Sequence, residues 1–184
     1  MMYKNLIFKG GFTMKLHSVK KAINNLTLET IQAMTRDSYL DKHFGYTSNE
    51  VVSDSDLIHR VSKMNKKAAT AFTCGRNTVL ELIKLALEED IDYISSWTED
   101  MSDGDDWVVE KEFDSVIGKG FFKTKEHEWN AGAAPCSAIR IVLRKTNDSN
   151  EFRIVSVYPI QTEEDKDKMI NAGEIYRACN AIAI

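Results

Sequence analysis

The spacing of apolar residues changes once along this chain, from a helical period to a strand period. In the first half, Leu80, Ile83 and Leu87 recur three and four residues apart, which is typical of one buried helix face. In the second half, residues 138–145 alternate apolar and polar side chains, and 152–158 form another β-rich run. Because helices precede strands instead of alternating with them, the sequence predicts an α+β fold and argues against repeated β-α-β units.

Capping residues and turn residues give the expected bounds of these elements. The predicted helices are 19–25 capped by Ser18, a second helix capped by Thr27, a short one from Asp54 or Ser55, and 77–97 capped by Asn77. The predicted strands are 107–113, 116–122, 138–145 and 152–158, the last ended by Pro159. We expect the last two strands to pair as neighbours because only a short polar link joins them. The tail is predicted to begin with a helix at residue 163.

Composition fits one ordinary globular domain: the chain has 184 residues, of which 43% are hydrophobic. No apolar run reaches the roughly 18 residues that cross a bilayer, so no membrane-spanning segment is predicted. The apolar patch Leu6-Ile7-Phe8 is too short for a signal peptide, and we expect no export signal in this sequence. Three cysteines without a C-x-x-C pair favour free thiols over a disulfide framework or a zinc site. Neither a metal nor a cofactor is therefore predicted.

The charge pattern bears on nucleic-acid binding. The net charge is −4 and the isoelectric point is about 5.6, whereas nucleic-acid binders are usually basic. An enzyme needs only a local positive cleft, so RNA stays open as a ligand. Acidic residues crowd into 88–106 and 163–167, and the cations of the predicted strands are Arg140, Arg144, Lys145 and Arg153.

Candidate catalytic residues follow from what RNA cleavage requires: a base for the 2′-hydroxyl, donors for the phosphate oxygens and an acid for the leaving group. The chain's histidines are His17, His43, His59 and His127. His43 is favoured because it lies at a predicted helix-to-loop junction beside Gly45, where a loop can orient it. The alternative is that it is an ordinary surface histidine.

Ser156 and Tyr158 are two apart on a predicted strand, so both side chains lie on the same face. Their hydroxyl groups are positioned to serve one phosphate. The alternative is a half-buried face that becomes polar near Pro159.

Several segments, taken in order, resemble the bacterial ribonuclease A-like domain found at the C-terminus of contact-dependent growth-inhibition toxins. They are His43-Phe44-Gly45, Leu57-Ile58-His59-Arg60, 71–73 with the long helix after it, 113–119, 139–144 and 152–159. The resemblance extends from 43 to 158. It implies a compact ribonuclease A-like α+β fold without disulfides, with a helical first half followed by an antiparallel sheet. We accordingly divide the chain into a helical N-terminal segment (1–42) for uptake or linkage, the toxin domain (43–160) and a tail of unknown role (161–184).

The family's histidine, arginine, threonine and tyrosine correspond here to His43, Arg60, Ser156 and Tyr158. Serine replaces threonine, and the long interval between His43 and Arg60 indicates an insertion at 49–55. The resemblance implies a metal-independent endoribonuclease toxin that cleaves RNA by transphosphorylation in the cytoplasm of a target bacterium.

The partners that the resemblance implies are RNA, with tRNA as one candidate, and a cognate immunity protein. Two other interpretations stay open at this point. One is a non-catalytic acidic binding protein, such as an immunity protein or an adaptor. The other is a degenerate toxin that keeps the fold but little activity.

Overall fold

A computed structural model gives the fold and describes residues 7–35, 39–44, 51–64, 66–99, 106–122, 133–146 and 152–168. The helices are α1 (Ile7–Asn24), α2 (Leu28–Met34), α3 (Tyr39–Phe44), α4 (Asp54–Ser62), α5 (Arg76–Glu89) and α6 (Ile91–Glu99). The strands are β1 (Ala68–Phe72), β2 (Asp106–Glu112), β3 (Gly118–Phe122), β4 (Ala134–Cys136), β5 (Ala138–Lys145) and β6 (Phe152–Ile160). Residues 163–168 are helical. The predicted α+β class is confirmed.

The strands form two three-stranded sheets, in the orders β1-β3-β4 and β2-β5-β6. In the first sheet β3 pairs antiparallel with β1, opposing Thr70 to Gly120, and with β4, opposing Gly118 to Cys136. In the second, β5 and β6 are neighbours, as the sequence predicts. Strand β1 comes from the helical half and was not expected. Four of its five residues are buried, so it lacks the alternation that marks a half-buried strand.

Two predicted helix bounds are wrong. Ser18 lies inside α1 instead of capping a helix, and its hydroxyl donates to the carbonyl of Lys15, a local bond that lets serine stay in a helix interior. The predicted helix 77–97 is divided at Asp90 into α5 and α6. Asp90 accepts the first backbone bond of α6, from Ile94, as an N-cap residue does. Thr27, by contrast, caps α2 as predicted, through a reciprocal pair of bonds with Thr30.

Pro159 does not end the last strand, which continues to Ile160. Strand β6 is at the edge of its sheet, where a proline without an N–H group is tolerated. Pro159 is buried and packs on Gly118, because a Cβ built on that glycine would lie 2.5 Å from the Cβ of Pro159. Glycine therefore permits the close approach of β3 to the end of β6.

The chain divides into two compact units. The first comprises Met1–Tyr39, Asn77–Glu110 and Arg140–Val157, and the second comprises Leu40–Arg76, Lys111–Ile139 and Tyr158–Ile184. In the first unit α1 packs against α6, and Val19, Ile23, Ile83, Leu87 and Ile94 are buried. In the second, α4 packs on β1 and β3 around Val52, Leu57, Val61, Ala69, Ala71 and Phe121.

The helical residues 163–168 begin with a capping box and are attached to a strand junction. Thr162 and Asp165 exchange side-chain and backbone hydrogen bonds, and Asp165 also accepts from the backbone N–H and the hydroxyl of Ser137. Burial opposes ionisation of Asp165, but these bonds outweigh it and lower its pKa. The start of the predicted tail is thus fixed to the turn between β4 and β5.

Cys74 and Cys136 are free thiols, in agreement with the sequence, whereas Cys179 lies outside the described residues. No helix in the described part of the chain is long and apolar enough to span a bilayer. The predicted helical continuation after residue 168, with Met169 and Ile170, also lies outside that part.

Candidate active site

Helix α3 carries His43 in its last turn and is fixed to β1 by an aromatic contact. Phe44, the final residue of α3, is buried and meets Phe72 edge to face, with ring centroids 5.1 Å apart. His43 is therefore not the loop residue expected from the sequence. The packing of its neighbour determines where its half-buried ring lies.

The ring of His43 is oriented by the backbone of β1. Its Nδ1 lies 2.8 Å from the carbonyl oxygen of Thr70, and because a carbonyl oxygen only accepts, Nδ1 must carry the proton. Strand β1 is at the edge of its sheet, so carbonyl groups on its outer side are available to side chains. The neutral ring then carries its basic lone pair on Nε2, the arrangement that a general base requires.

Tyr158 lies beside this histidine. Their ring centroids are 5.9 Å apart and the planes are inclined by 33°. Tyr158 is half-buried, and the residue after it is the Pro159 that packs on Gly118. The packing of Pro159 on Gly118 fixes the end of β6 and so places the phenol of Tyr158 next to the imidazole of His43.

Arg60 reaches the same place from α4. Its Nη1 donates to the carbonyl oxygen of Lys42 at 2.6 Å, which attaches the guanidinium to the residue before His43. Helix α4 is fixed at its other end by the N-cap Ser53 and by an ion pair between Lys119 and Asp54 at 2.6 Å. The Ser53 hydroxyl accepts from a backbone N–H of the first turn, and the carboxylate of Asp54 lies where the helix favours negative charge.

These surroundings keep His43 neutral. Burial is the main cause that lowers its pKa to about 4, and the positive charges of Arg60, Lys66 and Lys42 lower it further. The bond with Thr70 acts in the opposite direction but is outweighed. At neutral pH the imidazole is a proton acceptor among three cations, a setting that also attracts an anion.

The structure thus brings together His43, Arg60 and Tyr158, three of the four residues that the sequence singled out. Ser156 is half-buried on β6, two positions before Tyr158, and belongs to a segment of the first unit. Its part in the site stays a prediction. The other histidines follow the simpler interpretation: His17 and His59 are exposed on helices, and His127 lies outside the described residues.

Arg140 and Arg144 do not supply the expected positive surface. Arg144 binds Asp106 through two parallel bonds of 2.7 and 2.9 Å, and Arg140 pairs with Glu110. The cations near the histidine are Lys42 and Lys66, which the sequence argument missed. A signal was present, since residues 57–80 contain no aspartate or glutamate. That neutral-to-basic interval contains Lys66 but not Lys42, and residues 1–28 also lack carboxylates, so the signal is not specific.

A half-buried histidine with a fixed tautomer lies beside an arginine and a tyrosine in an α+β fold, and such a set of side chains is chemically able to perform acid–base chemistry at a phosphate group. The family described as bacterial CdiA-CT RNAse A domain matches residues 39–159, which is well over half of the chain. The chain belongs to this family of ribonuclease toxin domains.

The fold is also similar to that of a chain in the crystal structure of the CdiA-CT/CdiI complex from Y. kristensenii 33638. The TM-score is 0.53 at 21% sequence identity, and the match covers 67% of this chain and 98% of that one. Among curated proteins none matches the sequence.

Proposed function

We propose that this protein is a metal-independent endoribonuclease toxin that cleaves RNA by transphosphorylation. The observation that carries the proposal is the Nδ1–Thr70 bond of 2.8 Å, which makes Nε2 of His43 the base. Arg60 and Tyr158 lie around that histidine. A base, a cation and a second proton donor are what the reaction requires, so the side chains suffice in principle without a metal.

The proposed step begins when Nε2 of His43 removes the proton of a 2′-hydroxyl. The 2′-oxygen bonds to the adjacent phosphorus as the bond from phosphorus to the 5′-oxygen breaks. Tyr158 gives its phenolic proton to the departing 5′-oxygen, so the products are a 2′,3′-cyclic phosphate and a free 5′-hydroxyl. Arg60 stabilises the charge on the phosphorane-like transition state, and the hydroxyl of Ser156 donates to a phosphate oxygen.

Substrate binding would also make His43 a stronger base. Two of the causes that lower its pKa are burial and nearby positive charge. A phosphate group bound between the cations offsets the second cause, so the pKa of His43 should rise toward the neutral range in which a general base works best. An NMR titration of the ring with and without an uncleavable dinucleotide measures this shift.

The decisive experiment uses a DNA oligonucleotide with one ribonucleotide. The purified protein, with EDTA present, should cut after the ribonucleotide and leave a cyclic phosphate, whereas the matched all-deoxy oligonucleotide should stay intact. Cleavage of the all-deoxy strand would contradict transphosphorylation. Complete inhibition by EDTA, restored by added Mg²⁺, would contradict metal independence.

Two conservative substitutions test the roles of the hydroxyl groups. Tyr158→Phe should reduce cleavage about as much as loss of the base if the phenol is the acid, and by much less if it only binds phosphate. Ser156→Ala should mainly raise KM, by about tenfold, because it removes one phosphate donor. Unchanged kinetics in Ser156→Ala would exclude that residue from the site.

We extend the proposal to a cognate immunity protein and to action in the cytoplasm of a target bacterium, because the structurally similar chain belongs to a CdiA-CT/CdiI complex. Expression in the bacterial cytoplasm should arrest growth and degrade RNA, with tRNA examined first. Co-expression of a candidate immunity protein should relieve both effects. Growth arrest that persists in an inactive His43 variant would point to another toxic activity.

A further inference from the structure

Asp165 is a buried carboxylate that the proposed mechanism does not use. Only 1% of it is exposed to solvent, and an aspartate is almost never fully buried unless it is paired. Its Oδ2 accepts from the backbone N–H of Ser137 at 2.7 Å and from that of Thr162 at 3.0 Å, and its Oδ1 accepts from the hydroxyl of Ser137 at 2.9 Å. One carboxylate oxygen thus joins two segments that are distant in sequence. We call Asp165, Ser137 and Thr162 the Asp165 clasp.

The Ser137 side of the clasp is fixed to the first sheet. Ser137 directly follows β4, and its carbonyl accepts from the backbone N–H of Phe113 at 2.8 Å. The residue before it, Cys136, is the strand partner of Gly118 on β3. Pro159 of β6 packs on that same glycine. The clasp is therefore anchored beside the point where the end of β6 meets the first sheet.

The Thr162 side of the clasp follows closely on Tyr158. Thr162 is the second residue after β6, which ends at Ile160. This end of β6 belongs to an edge strand, and Pro159 has no N–H to give to a neighbour, so contacts other than main-chain bonds must help to hold it. They are the packing of Pro159 on Gly118 and the clasp. Between them they fix the strand end whose Tyr158 ring lies 5.9 Å from that of His43.

We propose that Asp165 is a positioning residue for RNA cleavage, which holds the end of β6 so that Tyr158 can give its proton to the departing 5′-oxygen. This inference rests on the proposed ribonuclease function. It assigns a role to the start of the tail, which lies beyond the residues 39–159 that match the family. A proton donor must lie within hydrogen-bond reach of its acceptor, and a misplacement of about 1 Å can reduce a rate about 10²-fold.

The test compares two leaving groups. A dinucleotide releases a 5′-oxygen that needs a proton, whereas the 4-nitrophenyl ester of a ribonucleoside 3′-phosphate releases a stable anion that needs none. All four ribonucleosides are tried, and the one that the wild type cleaves best is used for both substrates. Asp165→Ala should lower kcat on the dinucleotide by about 10- to 100-fold. On the ester it should change kcat by less than about twofold, because no general acid takes part. A smaller folded fraction would instead lower both rates equally.

Two further variants separate the clasp from a general effect of charge. Asp167→Ala removes an exposed carboxylate of the same helical turn and should match the wild type on both substrates. Asp165→Asn keeps an oxygen that can accept from both backbone N–H groups, so it should recover most of the activity on the dinucleotide. If Asp165→Ala does not fold, the double variant Ser137→Ala/Thr162→Ala removes two hydroxyl bonds and keeps the carboxylate. It should show a smaller loss, again confined to the dinucleotide.

A second readout shows whether Asp165 acts through the phenol. In a Tyr158→Phe background, Asp165→Ala should cause no further loss on the dinucleotide, since both substitutions remove the same proton transfer. Equal losses on the two substrates, or an additive loss in that background, would overturn the inference while the ribonuclease function stands. If Tyr158→Phe itself lowered both rates equally, the phenol would not be the acid and the inference would fall with that role. Wild-type protein that cleaves neither substrate would overturn the proposed function itself.

Discussion

Arginines in the first unit and cations in the second are used in opposite ways. On β5, Arg140 and Arg144 are neutralised by Glu110 and Asp106 of β2. Around His43, by contrast, Arg60, Lys42 and Lys66 act together on one imidazole. Counting cations along the chain favoured β5, but the cations that act on the candidate histidine are in the other unit.

Charge density in a sequence therefore does not locate a positive site. Directly opposed residues on neighbouring strands neutralise each other. Residues 57–80 contain no carboxylate of their own, and Arg60 and Lys66 of this interval lower the pKa of His43. Four measurements test this contrast between the two units.

The largest effect is expected from His43→Gln. Cleavage of RNA should fall by roughly 10²–10⁴-fold, the usual contribution of a positioned general base. Glutamine is preferred to alanine because His43 is half-buried, bonded to Thr70 and next to Tyr158, so truncation would also disturb packing. His59→Gln, at an exposed position of α4, is the control and should keep full activity. Equal rates for both variants would remove His43 from the mechanism.

Arg60→Gln directly tests the contrast between the two sets of cations. Loss of a charge-stabilising donor should reduce kcat about 10²–10³-fold. Arg144→Gln removes the same charge from β5, where Asp106 already neutralises it, and should leave kcat unchanged. If Arg144→Gln were the more damaging substitution, the paired face and not the His43 region would be the functional surface.

The pH dependence of stability should come from the second unit. The pKa of His43 is about 4 in the folded protein against 6.5 for a free imidazole. Between these values the unfolded chain binds more protons, so stability falls as pH decreases from 6.5 to 4. The loss is at most about 3 kcal/mol. In His43→Gln, the free energy of unfolding measured with urea should depend less steeply on pH across this range than in the wild type. An identical pH dependence in the wild type and His43→Gln would mean that the imidazole of His43 stays solvated in the folded protein.

The smallest effect is expected at the ion pair of the first unit. Asp106 and Arg144 are both exposed to solvent, with 35% and 38% of their side chains accessible. Surface pairs contribute little, so Asp106→Asn should lower the Tm by no more than about 3 °C. The pair lowers the pKa of Asp106, so this small contribution disappears as pH falls. A large Tm change would show that the pair organises the sheet.

Sequence patterns predicted the elements with complete local signals. Residues 138–145 alternate apolar and polar side chains, and β5 has those bounds. Thr27 caps α2 as expected. The sequence missed β1 because a fully buried strand has no alternation, and it extended one helix across Asp90 because the apolar period continues into α6. The first error concerns burial by distant parts of the chain, whereas the second concerns a local N-cap that the continuing apolar period hides.

The change from a helical to a strand period predicted the α+β class, residue chemistry favoured His43 and Tyr158, and the family resemblance supplied Arg60. Hydrogen-bonding chemistry and backbone periodicity are local properties, so one sequence reveals them. The folded structure was needed to show that Thr70 fixes the tautomer of His43, that Lys42 and Lys66 lower its pKa, and that the β5 arginines are neutralised. These properties depend on which atoms meet across long sequence separations, and electrostatic effects depend on those distances.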